Sequence, residues 1–170
     1  NGTLDFSPGV PMLQWTAGET AAYHNVYLST SPDLTEADLV KKNAPLVSTF
    51  YYRPGGFTPG TWYYWRVDEV EKDLVTVHEG KVWSFFVQAP IAYHPTPAVG
   101  ATDVPLDPDL TWLPGIDAIQ HQVYFSSSLD AVTEGIAEAD KGVFAFVDAN
   151  FAPDTLDVLT TYYWRVDEIL

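Results

Sequence analysis

The chain has 170 residues, 46% hydrophobic and 15% aromatic, which supports one large packed core or two small ones and excludes an intrinsically disordered polymer. Eight basic against 23 acidic residues give a net charge of −15, which argues against phosphate-driven nucleic-acid binding and against adhesion to anionic membranes. Cysteine is absent, removing disulfides, thiolate nucleophiles and zinc–thiolate sites together, and no apolar run reaches the roughly 18 residues of a membrane-spanning helix.

Read in chain order, short alternating segments dominate. Leu13 and Trp15 project to one face and Gln14 to the other. His24, Val26 and Leu28 share a face in the next strand. The Glu, Ala and Leu content of 34–42 then permits a helical turn. Tyr63, Trp65 and Val67 form an inward set, which leaves Tyr64, Arg66 and Asp68 outward. A polar turn leads to a last strand with Trp83, Phe85 and Val87. After Gln88-Ala89-Pro90 the order begins again. Leu110 and Trp112 come first, then His121, Val123 and Phe125, a helix-permitting stretch at 129–140, and the strand that starts at Tyr162. Strands this short, punctuated by 24 scattered Gly and Pro residues, predict an all-β protein of antiparallel sandwiches.

The recurrence is a true repeat. Tyr63-Tyr64-Trp65-Arg66-Val67-Asp68-Glu69-Val70 returns as Tyr162-Tyr163-Trp164-Arg165-Val166-Asp167-Glu168-Ile169, 99 residues later. Leu13-Gln14-Trp15 returns as Leu110-Thr111-Trp112, and His24-Asn25-Val26-Tyr27 as His121-Gln122-Val123-Tyr124, both 97 residues later. The expected domains are therefore residues 1–88 and 89–170, with charges of −4 and −11. In this frame the first copy begins part-way through the leading segment that the second copy carries at 95–104. The second copy lacks a counterpart of the last strand, Gly80 to Val87. Trp15, Tyr63, Trp65 and Trp83 are expected to anchor the first core, and Trp112, Tyr162 and Trp164 the second.

Phe57-Thr58-Pro59-Gly60-Thr61-Trp62-Tyr63-Tyr64-Trp65-Arg66-Val67 resembles the E–F corner and F strand of a fibronectin type III domain. Phe57 precedes Tyr63, and Leu156 precedes Tyr162, by the six positions found in that family. The resemblance implies that Trp15 and Trp112 are B-strand tryptophans. It also implies that Tyr63 and Tyr162 are corner tyrosines whose hydroxyls bond nearby backbone. His24 and His121 depart from the family, which usually places an aromatic there. The Tyr-Tyr-Trp-Arg-Val-Asp-Glu form looks closest to repeats of large secreted multimodular bacterial proteins, where such modules are spacers or adhesion elements. There is no Arg-Gly-Asp tripeptide.

Few residues offer chemistry. His24 and His121 repeat, but neither has a second histidine at metal-ligand spacing, so each is expected to hydrogen-bond across its sheet. His78 and His94 read as surface residues. Neighbours on a strand point to opposite faces, so Asp68-Glu69 and Asp167-Glu168 cannot each form the facing carboxyl pair of a glycosidase; Asp68 is expected to pair with Arg66. Asp103, Asp107 and Asp109 could offer oxygen ligands to Ca²⁺, although the run lacks the glycine and terminal glutamate of an EF-hand loop. Asn1-Gly2-Thr3 matches a glycosylation sequon. Among Tyr51, Tyr52, Trp62 and Tyr64 some rings must be exposed, and exposed rings stack on sugars; Trp62 and Tyr64 are the candidate ligand residues.

The expectation is a non-catalytic structural or adhesive spacer of a secreted or cell-surface protein, with no cofactor. Its expected partners are neighbouring modules of the same polypeptide or identical subunits. Two rivals stand beside it: a carbohydrate-binding accessory module with a polysaccharide partner, and a subunit of an extracellular fibre joined by strand complementation.

Overall fold

The computed structural model describes residues 3–7, 9 and 12–170. It is nearly all-β, built from antiparallel sheets that agree with a sandwich fold. The chain divides into two compact units, Asn1–Gln88 and Ala89–Leu170.

In the first unit the strands are β1 (Thr3–Phe6), β2 (Met12–Gln14), β3 (Tyr23–Ser29), β4 (Leu39–Pro45), β5 (Phe50–Tyr52), β6 (Trp62–Val70), β7 (Val77–His78) and β8 (Trp83–Val87). One sheet runs β1-β8-β6-β3-β4, with β7 also on β6, and the other is the β2-β5 pair. The β1–β8 contact is parallel, joining Thr3 to Phe85 and Phe6 to Val87. Leu13 from the small sheet meets Leu28, Tyr63, Phe85 and Val87 from the large one, and Phe57 closes the core from the loop between β5 and β6. Burial of each such large apolar side chain contributes about 1.5–3 kcal/mol.

The second unit contains β9 (Tyr93–Thr96), β10 (Leu110–Leu113), β11 (Gln120–Ser126), a short helix α1 (Leu129–Glu134), β12 (Asp140–Ala145), β13 (Asn150–Phe151) and β14 (Tyr163–Ile169). Its sheets run β13-β10-β9 and β12-β11-β14. Leu110, Trp112, Val123 and Phe125 are buried between them.

Both helix-permitting stretches do form a turn, each shorter than its window. Glu36–Asp38 is a single 3-10 turn in which the Thr35 side chain accepts from Ala37 N–H and Asp38 reaches back to Thr35 N–H. α1 is capped by Ser128 and ends at Gly135, whose φ of 65° suits a residue without a Cβ. Ala131 and Val132 of α1 pack with Ala139 against Tyr124 and Tyr163, covering the outward side of β11 and β14.

The expected anchors are only partly right. Tyr63 and Trp112 are buried, but Trp83 is 38% exposed. It opens β8, packs on Trp65 at 4.6 Å, and has its other side at the rim of a groove of about 490 Å³ beside β2. Trp15, Trp65, Trp164 and Tyr162 are half-buried. Smaller side chains fill the centre of the first core, and the indoles sit at its margin. Among the described residues β14 pairs with β11 alone, and without a strand like β8 alongside it Tyr162 is half-buried whereas its counterpart Tyr63 is buried.

Candidate functional site

The repeated histidines are wholly buried. Register places His24 opposite Glu69 on β3 and β6, and His121 opposite Glu168 on β11 and β14. His24 Nδ1 lies 2.8 Å from Glu69 Oε2, close enough for an ion pair but poorly aligned for a full hydrogen bond. His121 Nδ1 lies 2.5 Å from Glu168 Oε2, and its Nε2 lies 3.2 Å from the Phe146 carbonyl. The other carboxylate oxygen accepts a backbone N–H in each copy, from Gly18 at 3.1 Å and from Gly115 at 2.6 Å. A tryptophan edge closes each site: Trp15 lies 5.4 Å from His24 at 80°, and Trp112 lies 5.3 Å from His121 at 85°. Each copy thus repeats a Trp–His–Glu assembly that ties loop, core and sheet together, with the imidazole fully shielded from solvent.

The outward face repeats a second assembly. The Arg66 guanidinium lies 4.5 Å above the Tyr27 ring, and Nε lies 2.8 Å from Asp68 Oδ1. Arg165 repeats this over Tyr124 at 4.4 Å, with Asp167 at 2.9 Å. In the first unit Glu79 adds a contact to Arg66 at 2.8 Å. Partial burial works against the Arg66 charge, but the Asp68 hydrogen bond and the Asp68 and Glu79 carboxylates outweigh it and hold the guanidinium above its usual range. Burial and the hydrogen bond to Glu36 push the Tyr27 phenol up. Asp68 also accepts from Gly80 N–H at 3.0 Å. A Cβ on Gly80 would lie 2.0 Å from the Val67 carbonyl, so only glycine permits this approach of the loop to β6.

The corner hydroxyls are engaged as well. Tyr63 accepts from Thr58 N–H at 3.2 Å, and Tyr162 from Asp157 N–H at 3.1 Å.

Of the expected aromatic group, only Trp62 and Tyr64 come together. Their rings lie 6.4 Å apart, 27° from parallel, on the outward face of β6. Tyr51 packs against the core from the small sheet, and Tyr52 is exposed on that same strand. The missed member is Phe86, 5.5 Å from Trp62 and directly opposite it in the β6–β8 register. That register depends on where the hairpin turns, which alternation alone does not fix.

His78 is exposed and pairs with Glu71 at 2.8 Å, and His94 is exposed. Among the described residues no three His, Asp or Glu side chains converge as a metal site, so Asp103, Asp107 and Asp109 do not form one. Asn1 and Gly2 of the sequon lie outside the described residues. The groove beside β2 is lined by Trp15, Trp65 and Trp83 with Gln14 and Thr16, and no charged side chain among the described residues lines it. No described helix is long and apolar enough to cross a membrane. No protein-family model matches the chain, and no curated protein is significantly similar to it.

Proposed function

We propose that this chain is a non-catalytic structural and adhesive spacer belonging to a longer secreted or cell-surface protein, made of two fibronectin type III-like sandwiches in series. The observation that carries the reading is the use of the repeated polar residues. His24 with Glu69 and His121 with Glu168 are the groups from which acid–base chemistry would be built, yet both imidazoles are wholly buried against tryptophan rings, the Glu168 carboxylate is buried with its histidine, and only the Glu69 carboxylate is partly exposed. Arg66 with Asp68 and Arg165 with Asp167 lie along single strands, each guanidinium stacked on a tyrosine. What the repeat preserves is thus the means of holding a sandwich together. The acidic surface favours solubility and disfavours self-association.

A spacer has to resist extension. Stretching single molecules of the chain between a surface and a force probe should give discrete ruptures, each releasing the length of one unit. Smooth extension without ruptures would overturn the reading, as would turnover of a small-molecule substrate lost on His24→Gln or His121→Gln.

A further inference from the structure

We propose that the free edge of β14 binds a segment of a partner polypeptide as an added antiparallel strand, one with a glycine followed by apolar side chains at every second position and no net negative charge. The inference rests on reading the two units as copies of one sandwich, because the first unit shows what this edge takes. There β8 lies along β6, with Tyr63 opposite Phe85 and Trp65 opposite Trp83. Val87 ends the strand by donating its N–H to the Thr61 carbonyl at 3.0 Å and accepting from Gly60 N–H at 2.9 Å. At the other end, Gly80 N–H donates to Asp68 at 3.0 Å.

In the second unit the corresponding groups are open. Among the described residues β14 pairs with β11 alone, and Leu159 N–H and the Thr160 carbonyl, the counterparts of Gly60 and Thr61, have no strand to bond. Their turn is nonetheless already set. Leu159 has a φ of 57° where Gly60 has 68°, and the Thr160 hydroxyl donates to the Val158 carbonyl at 3.2 Å as Thr61 does to Pro59 at 3.4 Å. The side chains of the strand agree with the backbone. Tyr63, Val67 and Val70 are buried, whereas Tyr162, Val166 and Ile169 are half-buried. The Asp68 side chain is 5% exposed and that of Asp167 is 48% exposed, although each keeps its arginine. The second unit thus holds the edge in the shape that receives a strand.

The chemistry of the partner follows from that shape. The unpaired N–H and C=O groups of an edge accept any extended chain, so selectivity lies in the alternate side chains that the new strand turns toward the core. In the first unit these include Phe85 and Val87, both buried. The glycine is required because a Cβ on Gly80 would lie 2.0 Å from the Val67 carbonyl, and Val166 stands at that position on β14. The second unit carries a charge of −11, which repels acidic segments and also disfavours the β14 edge of a second copy.

Titrating the whole isotope-labelled chain with a synthetic peptide of the sequence of residues 77–88 tests the proposal by amide shifts and hydrogen exchange. The Leu159 amide and alternate amides of β14, those turned away from β11, should shift and gain protection, while the amides of β6 stay unchanged. Peptides carrying Gly80→Val or Phe85→Asp should bind about tenfold or more weakly, the scale of one large apolar side chain. A peptide of the same composition in shuffled order should not bind. All the changes are in the peptide, so the fold of the chain is not at risk. The proposal is overturned if these amides stay unchanged up to about 1 mM peptide, or if the shuffled peptide binds equally well. It is also overturned if the chain alone forms a dimer with these amides already protected, since a second copy would then hold the edge. Each of these failures leaves the mechanical rupture pattern, and with it the spacer reading, unaffected.

Discussion

Replacing Glu168 by alanine should selectively destabilise the second unit. The Glu168 side chain is 2% exposed and faces both His121, at 2.5 Å, and Gly115 N–H, at 2.6 Å. Removing it leaves a fully buried imidazole and a backbone donor without their acceptor. Breaking a buried pair from one side costs about 3–5 kcal/mol. In a unit of 82 residues, from 89 to 170, a loss of about 3 kcal/mol lowers the melting temperature by about 12–24 °C. Glu69→Ala should cost less, because the Glu69 side chain is 21% exposed and its contact with His24 is poorly aligned. Calorimetry of the full chain, with hydrogen exchange used to assign transitions to units, gives both numbers. The double variant His121→Phe/Glu168→Leu should recover much of the loss, since replacing both partners with apolar groups removes the stranded polar ring. The Gly115 N–H would still lack its acceptor, at about 1–3 kcal/mol. If Glu168→Ala moves the second unit by less than about 5 °C, or no more than Glu69→Ala moves the first, the buried pair does not hold the unit together.

Two further outcomes follow from other parts of the framework. Tyr63→Phe should destabilise the first unit by about 1–3 kcal/mol, because Thr58 N–H loses its acceptor; denaturant melting should show an unchanged slope and a lower midpoint, and an unchanged midpoint would show that water replaces the hydroxyl. The Asp73 carboxyl is held down to about 2 by the Thr76 hydroxyl and by the backbone of Thr76 and Val75. Its folded value lies below the unfolded one, so its support of the 71–76 turn is complete above the ordinary carboxylate range and is lost as pH falls through about 2. Amide shifts of Val75 and Thr76 should therefore hold steady to below pH 3, and movement near pH 4 would refute the assignment.

Period-two alternation made much of the fold legible. It sorted Tyr63, Trp65 and Val67 from Tyr64, Arg66 and Asp68, and the Arg66–Asp68 pair follows from that sorting. The partners of His24 and His121 were not legible, because Glu69 and Glu168 come opposite them only through the β3–β6 and β11–β14 registers. Their joint recurrence in the repeat was the available signal. Phe86 was hidden for the same reason, since hairpin register set it beside Trp62. The roof over Tyr163 depends on Ala131 and Val132 in a six-residue helix, too short for periodicity to reveal which face it buries.

The buried histidine has one more consequence, in which strand alignments the sheet permits. A two-residue slip of β14 along β11 keeps every side chain on its proper face, so hydrophobic patterning alone does not forbid it. Such a slip would set Val166 or Leu170 opposite His121 in place of Glu168. The imidazole would then face an apolar partner in a dry interior, at a cost of several kcal/mol. One polar pair thus distinguishes the native pairing from its nearest competitors. The His121→Phe/Glu168→Leu variant, although stable, should give up that distinction and show more than one set of amide signals from β14.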